Sequence, residues 1–251
     1  MILKAKKHFG QHFLINENIA NNIAESLNLN ICKNIIEIGP GKGVLTKYLI
    51  QKNANIKLIE IDIDCINVIK EKFENIDVIH NDFLQINLSE INFKEYSIIG
   101  NFPYNISSQI LFKVLENRNN IRELVGMFQK EVSDRICSKP KSKKYGILSV
   151  LIQAYFDCEN LFNVSPDNFH PIPKVNSSVI RLSRNEVKDL GCDHDHFIKV
   201  VKGAFSQRRK KLKNALKNFT NLNHVKLKHL MSKRAEELNV SDFIKLTNII
   251  S

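Results

Sequence analysis

"NIIEIGPGKGVLTKYL", residues 34–49, decides the architecture. Ile35, Ile36 and Ile38 form a short apolar run of buried-strand length. Glycines follow at 39, 41 and 43, and Val44, Leu45, Tyr48 and Leu49 then recur at helical spacing. Strand, tight turn and helix make the opening half of a βαβ unit. Glycine at such a turn lets the backbone reverse sharply and lets a ligand approach its amides. A dinucleotide-binding turn would carry its third glycine at position 44, which is Val44. A phosphate loop would follow Lys42 with Ser or Thr, and Gly43 stands there. The turn therefore suits a ligand that brings no pyrophosphate.

The same alternation runs on both sides of this stretch. Ile19, Ile23, Ala24 and Leu27 share one face of a preceding helix. Strands are expected at 56–61, 77–82, 96–101 and 123–129, with helices over 66–73 and through Ile110, Leu111, Val114 and Leu115. Strand–helix alternation predicts a parallel sheet covered on both faces. From 145 the pattern changes. "YGILSVLIQAYF" (145–156) reads as a long apolar helix. "LFNVSPDNFHPIPKVNSSVIRL" (161–182) reads as two strands joined by a proline-containing loop, an antiparallel addition at the sheet edge. Beyond 184 no strand pattern survives, and Asp193 and Asp195 are placed to cap a long helix over 196–219. The expected organisation is an α/β domain over 1–184, including a basic arm over 1–14, and a helical domain over 185–251.

Composition narrows the partners. The 251 residues are 43% hydrophobic and 25% charged, the balance of a soluble globular chain. No apolar stretch has the length of a membrane span or of a signal-peptide core, so a cytoplasmic protein is expected. The five cysteines are scattered and form no C-x-x-C pair, which argues against disulfides and a zinc ribbon. "CDHDH" (192–196) reads as a helix cap rather than a metal site. The formal charge of +11 favours a polyanion such as RNA. "SQRRKKLKNALK" (206–217) concentrates that charge. On a helix buried through Phe205, Leu212, Leu216 and Phe219, it would present Arg208, Arg209, Lys210 and Lys211 to RNA phosphates. The arm lysines Lys4, Lys6 and Lys7 and the loop at 139–144 are further candidates.

Three strand ends carry ligand-type residues. Glu60 follows the glycine turn by about 20 residues, where a carboxylate accepts ribose hydroxyls. Asp82 ends the third strand and is placed to accept from an adenine amino group. An adenosyl group without pyrophosphate describes S-adenosylmethionine. "GNFPYN" (100–105) then acquires a role. The lone pair of an adenine 6-amino nitrogen is delocalised into the ring. Asn101 and a neighbouring main-chain carbonyl would accept both amino protons and favour a pyramidal, nucleophilic nitrogen. Pro103 would fix the turn, and Tyr104 would stack on the base, worth about 1–3 kcal/mol.

These blocks, in their order, resemble the ribosomal RNA adenine dimethyltransferases that act on the small-subunit RNA of bacteria. "KKHFGQHFL" (6–14), "EIGPGKGVLT", "IEID", "NDFL", "GNFPYNISSQILFKVL", "FQKEVSDRI" (128–136), "NFHPIPKVNSSVIRL" (168–182) and "AFSQRRKKLKNAL" (204–216) carry the resemblance over nearly the whole chain. Phe102 stands where the family usually has Leu, and His12 where it usually has Asn. The resemblance implies a Rossmann-like methyltransferase fold. That fold has a seven-stranded, mostly parallel sheet with an antiparallel edge strand, and a small all-α C-terminal domain follows it. It implies cofactor contacts at His12, Leu14, Gly39, Gly41, Glu60, Asp82 and Asn101. Asn101 and Tyr104 would face the target adenine, and Phe169 would close its other side. The implied substrate is two adjacent adenosines in the 3′-terminal hairpin of 16S RNA, with S-adenosylmethionine as methyl donor, no metal, and a monomer working on the small subunit. Three other readings are a large-subunit dimethyltransferase, an assembly factor that no longer methylates, and a nicotinamide-dependent oxidoreductase, which Val44 disfavours.

Overall fold

A computed structural model describes residues 4–220, 222 and 224–250. Residues 1–3 of the expected arm, and 221, 223 and 251 of the expected helical domain, lie outside the described residues. The strands are β1 (Phe13–Leu14), β2 (Asn34–Ile38), β3 (Asn55–Glu60), β4 (Asp77–His80) and β5 (Tyr96–Asn101). They continue with β6 (Ile121–Gln129), β7 (Phe156–Val164), β8 (Phe169–His170) and β9 (Ser177–Arg184).

Seven of them form one sheet in the order β4-β3-β2-β5-β6-β9-β7. β2 pairs in parallel with β3 and β5, β3 with β4, and β5 with β6. The chain steps outward from β2 through β3 to β4, then returns to lay β5 on the other side of β2. Strand order thus reverses between β2 and β5. Ligands of open α/β sheets bind beyond the strand C-termini at such a point. Ile35, Ile36, Ile98 and Ile99 are fully buried on the two central strands, as helices on both faces require.

The antiparallel strand is β9, and it lies one place in from the edge, between β6 and β7. Burial explains the order. β9 hides Ser177–Ile180 and Leu182, whereas β7 alternates exposed and half-buried residues along most of its length. A strand buried on both faces belongs inside the sheet, and a partly polar one belongs at its rim.

The chain divides into two compact units. One holds residues up to Ser133 together with Asp157–Arg184, and the other holds Asp134–Phe156 and residues from Asn185 onward. A single boundary at 184 therefore misassigns 134–156. The apolar helix expected over 145–156 is shorter, Ile147–Gln153, and Phe156 already begins β7. Ser149, Val150, Leu151 and Ile152 of this helix are buried in succession. A helix without a polar face needs neighbours on every side, and it packs against the helices His194–Ser206 and Val240–Thr247.

The long helix expected over 196–219 is also interrupted. Asp193 caps His194–Ser206 by accepting from the His196 N–H at 2.7 Å. The chain leaves the helix at Gln207 (φ −128°, ψ 63°) and is helical again only over Leu212–Ala215. Arg208, Arg209, Lys210 and Lys211 lie in the connection, not on a helix face. Like charges at helical neighbour spacing oppose a helix. The connection offers other partners: the Lys210 N–H donates to the Gln207 carbonyl and the Leu212 N–H to the Lys233 carbonyl, each at 2.8 Å.

Candidate active site

A cleft of about 210 Å³ opens beyond the C-terminal ends of β2, β3 and β5. His12, Leu14, Gly39, Gly41, Glu60, Asp82, Asn101 and Tyr104 all line it. The glycine turn forms its floor. Gly39, Gly41 and Gly43 have φ of +64°, +56° and +77°, a region that favours glycine. A carbon on Gly43 would sit 2.5 Å from the Phe73 ring, so that glycine is needed for packing. A carbon on Gly39 would meet nothing within 4 Å, so only its backbone angle requires glycine there.

Glu60 ends β3 and is 5% exposed. Its Oε2 accepts from the Gly41 N–H at 3.1 Å, and its Oε1 accepts from the Ile61 and Asp62 N–H groups at 2.9 Å. Three of a carboxylate's roughly four lone-pair positions are thus taken, and one remains. Burial pushes the Glu60 pKa up, and the three backbone donors oppose that shift. Asp82 is half-buried, and its Oδ1 accepts from the Leu84 N–H at 2.8 Å, which fixes the turn after β4. Lys113 holds the same loop from outside, donating to the Leu84 and Ile86 carbonyls at 2.9 and 2.6 Å.

Sequence reasoning missed several lining residues. Ile61 and Phe83 give the cleft apolar walls beside Glu60 and Asp82. Their signal was an apolar side chain directly after each acid. Lys6, a candidate for RNA phosphate, is instead engaged by Asp62 and Asp64, and neither that tie nor the one from the cleft residue Gln11 is visible locally, because the partners are distant in sequence. Lys6 Nζ and Gln11 Nε2 both donate to the buried Asp62 carboxylate, at 2.5 and 2.8 Å. Asp62 also caps the next helix through the Asp64 N–H. These contacts hold the Asp62 carboxyl below the usual carboxylate range against the opposing effect of burial.

The arm reaches the Asn101–Tyr104 loop. The Asn101 Nδ2 donates to the His12 carbonyl at 2.9 Å. That bond leaves the Asn101 Oδ1 as an acceptor. His12 Nδ1 lies 2.7 Å from the Pro171 carbonyl, and since a carbonyl only accepts, this ring nitrogen carries the proton. The His12 and Tyr104 rings stack at 5.5 Å and 24°. The Tyr104 hydroxyl is engaged by Ser177 Oγ at 2.5 Å.

Phe102 anchors the loop from below. It is 1% exposed, and its ring lies 4.9 Å from that of Phe128. Its backbone N–H donates to the Met127 carbonyl at 3.2 Å. A carbon on Gly126 would fall 2.1 Å from the Phe102 ring, and one on Gly100 would fall 2.7 Å from the Ile38 carbonyl. Gly126→Ala is therefore expected to push Phe102 aside and to cost about 1–3 kcal/mol of stability, as overpacking does. Urea unfolding checks this, and an unchanged midpoint would show that the ring is not held there.

Phe169 is not at the cleft. It is 1% exposed in the core with Leu14, Val164 and Val179. β8 pairs antiparallel with β1, Leu14 opposite Phe169 and Phe13 opposite His170. Successive strand residues point to opposite sides, so burying Phe169 leaves its neighbour His170 exposed.

In the second unit, Arg209, Lys210 and Lys211 are exposed. Arg208 differs. Its guanidinium donates to the Glu236 carboxylate at 2.8 Å and to the Ser142 carbonyl at 3.2 Å. The Lys141 N–H donates to the Glu236 carbonyl at 2.6 Å. The basic loop at 139–144 and the basic turn at 208–211 thus meet at Glu236.

A sheet that reverses at β2 and β5, with a phosphate-free glycine turn and an acid at the next strand end, defines a Rossmann-like methyltransferase. The family model for ribosomal RNA adenine dimethylase matches residues 2–251. The chain belongs to that family. It is 50% identical to the ribosomal RNA small subunit methyltransferase A of Cytophaga hutchinsonii, over 99% of this chain and 98% of the relative. Among solved structures, a dimethyladenosine transferase from Plasmodium falciparum matches with a TM-score of 0.80 and 25% identity, over 95% of this chain and 99% of that one. The 23S rRNA methyltransferase ErmE shares the fold, with a TM-score of 0.73 at 24% identity over 94% of this chain and 98% of that one.

Proposed function

We propose that the protein transfers methyl groups from S-adenosylmethionine to the 6-amino nitrogens of two adjacent adenosines in the 3′-terminal hairpin of small-subunit rRNA, in the cytoplasm. The observation that carries this reading is the Asn101 side chain. Its amide nitrogen is committed to the His12 carbonyl, and its oxygen is left to accept at the mouth of the cleft.

The donor set fits an adenosyl group. Glu60 keeps one acceptor position for a ribose hydroxyl, Asp82 keeps its second carboxylate oxygen for the adenine edge, and Ile61 and Phe83 flank the base plane. The bound cofactor supplies an electrophilic methyl on a sulfonium. On the RNA side, Asn101 Oδ1 accepts one amino proton of the target adenine and a neighbouring main-chain carbonyl accepts the other. This aims the nitrogen lone pair along the displacement line, and such positioning supplies much of the rate enhancement. With its hydroxyl bonded to Ser177, Tyr104 offers its ring to the base. No strong base is needed, since the methylated nitrogen releases its proton afterwards. Arg209, Lys210 and Lys211 bind rRNA phosphates, and Arg208 holds that turn in shape through Glu236.

The test is transfer of radiolabelled methyl from S-adenosylmethionine to small subunits lacking adenine dimethylation. Large subunits and fully methylated small subunits are run beside them. Dimethyladenosine from the unmethylated small subunits alone is expected. Label on the large subunit would reassign the substrate. Tight binding without label would leave an assembly factor.

A further inference from the structure

The loop that joins β8 to β9 is tied at both ends to residues that line the cleft, His12 and Tyr104. At its start the Pro171 carbonyl accepts from His12 Nδ1, and at its end Ser177 Oγ meets the Tyr104 hydroxyl. Between these ties the loop exposes Ile172 by 67% and Val175 by 43%, with Lys174 exposed between them. Single exposed aliphatic residues are ordinary. Two that bracket a lysine, on a loop pinned beside a base-binding turn, have no core to serve. Pro171 and Pro173 restrict the backbone, so the side chains are presented from a stiff support. Lys174 makes no ion pair among the described residues. It lines a second cavity of about 380 Å³ with Gln129 and Asn176. Gln129 lies two residues beyond Met127, the register partner of Asn101. At about 3.3 Å per residue, Gln129 lies about 7 Å further along β6 than Met127, about two stacked-base steps.

We propose that the Pro171–Asn176 loop is a wedge against the RNA stack: Ile172 and Val175 fill the space left by the extruded adenine, and Lys174 meets the flanking phosphate. The inference rests on the reading of an RNA adenine as substrate. A base inside a stack must be taken out before its amino group can reach Asn101, and apolar side chains inserted at a base step hold such an opening.

The experiment compares the wild type, Ile172→Ala/Val175→Ala and Lys174→Ala on two substrates. One is the unmethylated small subunit. The other is the same subunit assembled with an abasic site beside the target adenosine, which removes the stacking neighbour. The double variant is expected to lose about tenfold in kcat/KM on the first substrate and to approach wild-type rates on the second, because an unstacked base needs no wedge. Lys174→Ala is expected to raise KM for both subunits and to flatten the salt dependence of binding. Thermal unfolding and S-adenosylmethionine affinity are expected to stay at wild-type values for every variant. An equal loss by the double variant on both substrates, or no loss on either, would overturn the wedge while leaving the methyltransferase reading intact. A wild type inactive on both substrates would overturn both.

Discussion

Asn101→Ala is expected to lower the methyl-transfer rate by about 10²–10³-fold, the range seen when one preorganised polar contact to a reacting centre is deleted. The geometry explains so large an effect from a half-buried residue. The Asn101 amide is held at one end by the His12 carbonyl, which fixes its oxygen toward the place proposed for the target nitrogen. Alanine leaves the adenine amino group without its side-chain acceptor and with an ordinary delocalised lone pair. The lost protein hydrogen bond itself costs only about 1 kcal/mol of stability. Rate and stability should therefore separate. Single-turnover transfer to unmethylated small subunits measures the first and urea unfolding the second. Asn101→Asp is a useful companion. A carboxylate still accepts, but it cannot donate to His12 and would face that carbonyl with like partial charge, so a loss between wild type and alanine is expected. An alanine variant that kept more than a tenth of the wild-type rate would remove Asn101 from the chemistry.

Glu37→Gln is expected to flatten the pH dependence of stability between pH 6 and 9. Glu37 lies on β2 and is 1% exposed. Thr46 Oγ1 donates to its Oε2 at 2.8 Å, and its Oε1 has no partner among the described residues. Burial, helped by the nearby Glu60 charge, pushes the Glu37 pKa from 4.5 up to about 8. The folded state thus holds a proton that the unfolded state releases above about pH 4.5. Stability from this group is complete below that pH, falls as pH rises, and levels off above about 8. The full gap corresponds to roughly 5 kcal/mol, of which about 2 kcal/mol falls between pH 6 and 8. Glutamine cannot ionise, so the variant escapes that part of the decline. Urea midpoints at pH 6 and 9 decide the matter, and parallel profiles for the two proteins would place the proton elsewhere.

The local patterns in the sequence were enough for β2 to β6 and for the residues at their ends. Gly39, Glu60 and Asn101 each close a largely apolar strand run, and a strand end is a local event, whereas Asp82 stands two residues beyond β4, which ends at His80 and not at 82 as expected. The features that were illegible depend on distant partners. Lys6 and Gln11 join Asp62 across more than fifty positions, and nothing near Asp62 announces them. Phe169 carries the residue type of a stacking partner, but its pairing with Leu14 turns it into the core. The helix Ile147–Gln153 reads as apolar in either unit, and only its neighbours assign it to the second. The helical period after His194 continues through Arg208–Lys211, yet charge repulsion and the Lys233 carbonyl take the backbone elsewhere.

Phe102 gives the catalytic loop a property that its own residues do not advertise. The ring fills the space over Gly126, and the backbone beside it is bonded to β6. The loop's shape is thus settled when the sheet folds, not when RNA arrives. Binding then has little conformational entropy left to remove from the Asn101–Tyr104 segment, so more of the contact energy with the adenine stays available for affinity. In the proposed complex the seat for the base is a rigid die, and adaptation on binding falls to the RNA.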